Sequence, residues 1–269
     1  MDVQAKYQNS LMAITNVIIT EHPDIVGMIV EFQRKRLSDL VRNHHNGTVA
    51  YGPFKGMRLS PDTHWGAADQ GAMVLGLYEQ ELLKELEGLM PQRSVFVDLG
   101  AADGYYGIGV LVGNMCRKSY CFEISEKGRE VIAANAEANA VKDRVAILGE
   151  ASQTFFNDID ETERADAVLL VDIEGAEFDV LTPAAFQAFA RSTIIVEIHD
   201  WVPDSQNKIA RLKSQAAATH TVREFSTAAR DLSGFGELKM LDDTSRWLLC
   251  SEGRPRLMSW YRFDPLPGS

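Results

Sequence analysis

Apolar positions at helical spacing open the chain. Leu11, Ile14, Val17 and Ile18 recur every three or four residues, which predicts a helix ending at Pro23-Asp24. A second helix is predicted over "DIVGMIVEFQRKRLSDLVRN", residues 24–43, closed by the turn-forming "HHNG". The short runs "TVAYG" and "KGMRL" flank Pro53 and read as a small hairpin. "DQGAMVLGLYEQELLKELEGL", residues 69–89, carries one amphipathic helical pattern with Gly88 near its end. From residue 94 the texture changes. Strands are predicted at 94–98, 118–123, 144–148, 166–171, 193–198, 220–225 and 245–250, and helical patterns such as "SEKGREVIAANAEANA" and "DSQNKIARLKSQAAA" separate most of them. Alternation of this kind predicts an α/β fold, a doubly wound and mostly parallel seven-stranded sheet with helices on both faces. Runs such as "AVLLV" and "TIIV" suit strands covered on both sides. Only "DLSGFGELKM" separates the last two strands, so they are expected to close the sheet as an antiparallel hairpin. The change of texture sets a boundary near residue 90. Residues 1–90 form a helical N-terminal extension with a small hairpin, a lid or a dimer contact, and residues 91–269 form the α/β core.

Composition narrows the partners. The 269 residues carry 27 basic and 38 acidic side chains, a net charge of -11, which disfavours nucleic acid and anionic membrane as partners. Three cysteines (Cys116, Cys121, Cys250) are too few and too scattered for a disulfide framework or a zinc site. The N-terminus lacks a basic segment before its apolar stretch, and no apolar run approaches the ~18 residues that span a bilayer. A reducing cytoplasm is the expected location.

The candidate chemistry begins with "VFVDLGAADGYYGIG", residues 95–109. A turn between the first strand and its helix is the usual nucleotide site of an open α/β sheet. The dinucleotide pattern G-x-G-x-x-G fails here, because its second glycine falls at Ala102. What stands instead is Asp98-x-Gly100-x-x-x-Gly104, a wider loop through Ala101 with a carboxylate at its mouth. It suits a ligand with an ammonium group and no pyrophosphate, such as the methionine portion of S-adenosylmethionine. The second strand ends at Glu123, where an acid accepts ribose hydroxyls, and the third ends at Glu150-Ala151, where the adenine edge is expected. An acid at Glu123 also suits the start of the following helix. Tyr105 and Tyr106 offer aromatic faces to a sulfonium; one of the two is expected in the core, and Tyr105 is preferred for the cation.

"VDLGAADGYYGIG", "CFEIS", "VDIEGAEFDVL" and "IIVEIHD" together resemble an FkbM-type methyltransferase of the class I S-adenosylmethionine-dependent superfamily. The resemblance covers roughly residues 94–250. It implies a Rossmann-like fold, S-adenosylmethionine as cofactor, and O-methylation of a sugar or natural-product hydroxyl. Members commonly carry Asn where Asp103 stands and Pro where Ile124 follows the ribose-binding acid; Asp103 adds negative charge beside the cofactor.

A hydroxyl acceptor must lose a proton, which calls for a base or a metal. The fourth strand ends in "VDIEGAEFDVL", with Asp172 at its tip, and the fifth in "VEIHDW". Strand alternation places Glu197 and His199 on one side and Asp200 in the turn beyond. His199 is the preferred base and Asp172 its orienter or the acceptor's. The alternative is a divalent cation held by Asp172 with Glu197 or His199. Oxygen ligands would favour magnesium or calcium, and imidazole a transition metal. Glu174 and Glu177 also fit an acid cluster at a helix N-terminus, and for Glu177 that reading is preferred. Tyr78 and Glu79 are candidates to close the cofactor pocket. His44, His45 and His64 read as turn and surface histidines, and the aromatic-rich tail "RPRLMSWYRF" as packing.

Two other enzyme classes fare worse. Ala102 argues against an NAD-dependent oxidoreductase, and "VDIEG" stands where N-methyltransferases of bases or amides carry an Asn/Asp-Pro-Pro-aromatic run. A non-catalytic module on the same fold would leave Asp172 and His199 replaceable.

Overall fold

The computed structural model describes residues 3–254 and 256–267. Helix α1 (Val3–Glu21) runs into α2 (Pro23–His44), whose first position is the proline that broke the pattern. No single described helix is long and apolar enough to cross a membrane; α1 and α2 together reach that composition only across a 105° bend. From residue 8 to the middle of α2 most described apolar side chains are exposed, whereas Leu37 and Val41 at the end of α2 are buried. The 48–59 hairpin reduces to one antiparallel bridge, Thr48 to Arg58, with the Val49 N–H donating to the Met57 carbonyl at 2.8 Å.

The helix predicted over 69–89 is two helices, α3 (Gln70–Val74) and α4 (Gln80–Leu89). The chain breaks because Gly76 turns left-handed (φ +64°) directly under Tyr51, where a Cβ would stand 2.6 Å from the Tyr51 carbonyl oxygen. Glu79 is also left-handed (φ 45°), and its N–H donates to the Glu252 carboxylate at 2.9 Å. Tertiary partners override a continuous helical period here.

The α/β part then follows in order: β1 (Val95–Leu99), α5 (Tyr105–Val112), β2 (Lys118–Phe122), α6 (Glu126–Ala138), β3 (Val145–Leu148), α7 (Glu161–Arg164), β4 (Ala167–Val171), α8 (Glu177–Val180), α9 (Pro183–Ala188), β5 (Thr193–Ile198), α10 (Ser205–Ala216), β6 (His220–Ser226), α11 (Asp243–Leu249) and β7 (Ser259–Pro265). The sheet is seven-stranded in the order β3-β2-β1-β4-β5-β7-β6. Strands β1 to β5 pair in parallel, and β7 is antiparallel to both β5 and β6. Every residue of β1 and β4 is buried, as continuous apolar runs between two helical layers require.

The predicted strand at 245–250 is instead helix α11. The Asp242 carboxylate caps it by accepting from the Ser245 N–H at 3.0 Å, and Leu249 is buried while Trp247 stays half exposed. The last strand lies in the terminal segment, where Trp260, Tyr261 and Phe263 pack into the sheet. The last two strands do pair antiparallel, but across the long connection 227–258 and not as a tight hairpin.

The core lies on both faces of the sheet. On one, Phe96 and Ile108 meet Leu37, Val41, Phe54, Met57, Leu82 and Leu86 from the N-terminal part. Gly109 lets α5 come this close, since a Cβ there would stand 2.4 Å from the Phe54 ring. On the other, Val97 and Leu99 pack with Phe155, Phe186 and Phe189. The strand order reverses between β1 and β4, so a crevice opens beyond their carboxyl ends.

Candidate active site

A cavity of about 340 Å³ occupies that crevice, within the ~300–1,000 Å³ usual for small-molecule sites. The turns after β1, β2, β3 and β4 form its wall, and Tyr78 with the 64–65 segment covers it from the N-terminal part. The β1 turn is pressed onto the β4 turn. Gly100 is left-handed (φ +87°), and a Cβ there would lie 1.8 Å from the Asp172 carbonyl oxygen. Gly104, also left-handed, starts α5.

Asp98 is 2% exposed, and its Oδ2 accepts from the Gly107 N–H at 3.2 Å. Burial pushes its carboxyl up to about 7; the Gly107 N–H opposes that shift and the Glu123 charge adds to it. Glu123 is fixed at both oxygens, Oε2 by the Ala102 N–H at 2.8 Å and Oε1 by the Ser125 N–H at 2.7 Å. Glu123 itself lines the cavity. Exposed Glu150 and half-buried Ala151 line the outer part, beside exposed Ile124. Gly100, Ala101 and Tyr105 also line it. Tyr105 is a core residue as well, with its ring edge-on to Phe54, and its hydroxyl donates to the Met73 carbonyl at 3.4 Å. Tyr106 donates to Glu79 Oε2 at 2.5 Å.

Asp103 does more than add charge. Its carboxylate accepts from the N–H groups of His64 (2.9 Å) and Trp65 (3.3 Å) and from the Thr63 hydroxyl. It thereby clasps the 63–65 segment over the cavity. His64 is exposed, as expected, but stands at this rim, while His45 pairs with Glu237 at 2.7 Å.

The tips of β4 and β5 bring a second group together. His199 is 1% exposed; its Nδ1 lies 3.1 Å from Glu177 Oε1, which also accepts from the His199 N–H at 3.0 Å. Glu177 Oε2 accepts from the Gly175 N–H at 2.8 Å. Glu177 is fully buried, so the helix-terminal acid of the sequence reading is in fact the group that orients His199. Both the main-chain N–H and Nδ1 of His199 meet that carboxylate, which fixes the orientation of the ring. Nε2 points to Asp172 Oδ1 and Glu174 Oε2, each at 3.5 Å, with Glu197 Oε2 at 3.9 Å. Burial alone would lower the imidazole pKa, but Glu177, Glu197 and Glu174 raise it on balance. Burial, then Glu197, holds Asp172 well above the carboxylate range. The Asp172 carboxylate is partly open to the cavity, yet its Oδ1 is buried with no hydrogen-bond partner among the described residues.

His199 itself is not on the cavity wall; Asp172 and Glu174 are. A molecule in the cavity therefore meets those carboxylates before the imidazole. Glu197 spends its other oxygen on Arg254, whose guanidinium also binds Glu79 and Glu252. Arg254 was invisible to sequence reasoning. Its partners lie 57 and 175 residues away, and it sits in a segment that reads as tail packing.

No protein-family model matches the chain, and no curated protein matches it. Solved structures are similar to part of it. Streptococcus pneumoniae Sp1610 in complex with S-adenosyl-L-methionine gives a TM-score of 0.47 at 11% identity, over 70% of this chain and 73% of that one. The precorrin-6y C5,15-methyltransferase of Geobacter metallireducens GS-15 gives 0.46 at 11% identity, over 70% and 90%. The M1A22 tRNA methyltransferase TrmK of B. subtilis gives 0.45 at 11% identity, over 67% and 64%. At these scores the likeness bears on neither substrate nor chemistry. The strand order, with its antiparallel β7, is that of the Rossmann-like methyltransferase fold.

Proposed function

We propose that this chain is an S-adenosylmethionine-dependent O-methyltransferase of the FkbM type, acting in the cytoplasm on a hydroxyl of a small sugar or natural-product-like acceptor. The observation that carries the reading is the set of acids at successive strand ends around one cavity: Asp98 in the last two residues of β1, Glu123 after β2 and Glu150 after β3. The cavity's chemistry fits that cofactor. Asp98 is buried with no cationic side chain bonded to it among the described residues, the setting an α-ammonium group completes. Glu123 is pre-aimed by two backbone N–H groups, as an acceptor for paired ribose hydroxyls needs. The Gly100 backbone lies bare against the β4 turn.

In this reading Asp98 holds the ammonium, Gly100, Ala101 and Gly104 shape the cradle, and Glu150-Ala151 border the adenine. Tyr105 presents its ring towards the sulfonium. The bound cofactor supplies an electrophilic methyl group. Most of the acceleration then comes from holding the acceptor oxygen in line. The acceptor's proton leaves towards the tips of β4 and β5, where Asp172 is the group within reach and His199 stands behind it. Ala102, which carries a Cβ where a dinucleotide turn needs a bare backbone, speaks against NAD.

Calorimetric titration with S-adenosylhomocysteine, run beside NAD, tests the reading. Micromolar binding of the first, weakened by Glu123→Ala, is expected. Binding of NAD alone, or of neither, would overturn it.

A further inference from the structure

The wall that Asp172 and Glu174 form has an unbalanced interior. Among the described residues Asp172 Oδ1 is buried with no hydrogen-bond partner, and His199, 1% exposed, aims an Nε2 with no hydrogen bond at the same point from 3.5 Å away. Glu174 Oε2 closes the triangle at 3.5 Å from that nitrogen. Glu174 reaches inward from a left-handed backbone (φ 53°) at the start of the β4 turn. Asp172 and Glu174 have no lysine or arginine partner among the described residues, and Arg254 binds Glu79, Glu197 and Glu252 instead. Two carboxylate oxygens and an imidazole nitrogen that converge on one point, with no cationic side chain filling it among the described residues, describe a cation's coordination shell.

We propose that Asp172, Glu174 and His199 bind one divalent transition-metal cation of the manganese class, with Glu197 at its inner edge. The geometry is compatible. The three ligand atoms lie within 4.8 Å of one another. Atoms ~2.1 Å from a common centre and set near the tetrahedral angle are ~3.4 Å apart, close to the distances from Nε2. The mixed imidazole and carboxylate set favours a transition metal over calcium or magnesium, which take oxygen alone. The buried Glu177 carboxylate on Nδ1 is the orienting partner that metal-bound histidines require. Two ligands line the cavity, so the open coordination positions face it.

Cation binding here needs none of the methyltransferase reading; its use to acidify an acceptor hydroxyl rests on that reading. It also resolves how a buried His199 contributes, as a ligand and not as a base touching the acceptor.

The test uses the full chain, stripped with a chelator and dialysed. Mn²⁺ is titrated by calorimetry and by the electron paramagnetic resonance signal of the free ion, with S-adenosylhomocysteine titrated in parallel. One micromolar Mn²⁺ site is expected in the parent protein. Asp172→Asn should weaken it roughly 10–100-fold, as should Glu174→Gln, with circular dichroism showing both variants folded. Glu174 is 62% exposed, so its variant folds even if Asp172→Asn does not. No Mn²⁺ binding to the folded parent, or binding that both variants leave intact, would overturn the site. Loss of S-adenosylhomocysteine binding with the Mn²⁺ site intact would instead refute the cofactor reading and leave the metal site standing.

Discussion

Replacing Asp98 by asparagine keeps the shape of the β1 tip and the acceptor for the Gly107 N–H, and removes only the charge. In the parent protein burial lifts this carboxyl from 3.8 to about 7. At ~1.4 kcal/mol per pH unit the lift corresponds to roughly 4 kcal/mol of unfavourable burial of the ionised form. Two consequences follow. The folded chain binds a proton that the unfolded chain releases between pH 3.8 and about 7, so this group's contribution to stability is full below that window and is lost as pH rises through it. A bound α-ammonium reverses the preference, because it pairs with the ionised form. S-adenosylhomocysteine should therefore bind about tenfold more tightly at pH 8 than at pH 6, as the ionised fraction rises from ~10% to ~90%. Asp98→Asn should lose ~1.5–3 kcal/mol, the worth of one hydrogen bond to a charged group, and with it the pH dependence. Calorimetry across pH 6–8.5 on both proteins reads both effects. A flat profile in the parent, or an asparagine variant that binds within about twofold of it at pH 8, would refute the role given to Asp98.

The clasp at Asp103 should matter for release more than for fold. Asp103→Ala frees the Thr63, His64 and Trp65 donors, and stopped-flow binding is expected to show faster dissociation of S-adenosylhomocysteine with the melting temperature little changed; unaltered dissociation would mean the 63–65 segment is no cover. The apolar side chains that α1 and α2 leave exposed, among them Leu11, Ile14, Val17, Met28, Ile29 and Phe32, are expected to close against a second copy of the chain. At ~100 Å² each they approach the ~800 Å² per partner of a stable interface, and the net charge of -11 argues against an anionic bilayer as the alternative cover. Sedimentation should give a dimer that becomes a monomer when residues 1–30 are removed; a monomeric parent would contradict this.

The parts of the site carried by parallel strands were open to sequence reasoning, for a physical reason. Strands buried on both faces read as apolar runs, and the polar residues at or just beyond the end of each run are where the chain meets the ligand crevice, which places Asp98, Glu123, Asp172, Glu197 and His199 in order. What sequence could not show was fixed by distant partners. The helical period across residues 69–89 is real on both sides of Gly76, but the cause of the break, the Tyr51 carbonyl and the Glu252 carboxylate, lies elsewhere in the chain. The run at 245–250 is apolar enough for a strand, and only the Asp242 cap decides for a helix. Glu177 sits where acids commonly face solvent at a helix start, yet the turn at Gly175 directs it inward onto His199. Arg254 acquires its meaning only when β7 folds the terminal segment back beside β5.

The central claim is that the crevice beyond β1 to β4 holds the methyl donor, and a crystal structure of the chain with S-adenosylhomocysteine tests it most directly. The expected result is the ammonium group at Asp98, the ribose hydroxyls on Glu123, and the sulfur directed towards Asp172. A product molecule bound elsewhere, or lying in the cavity with its ribose away from Glu123, would contradict the account.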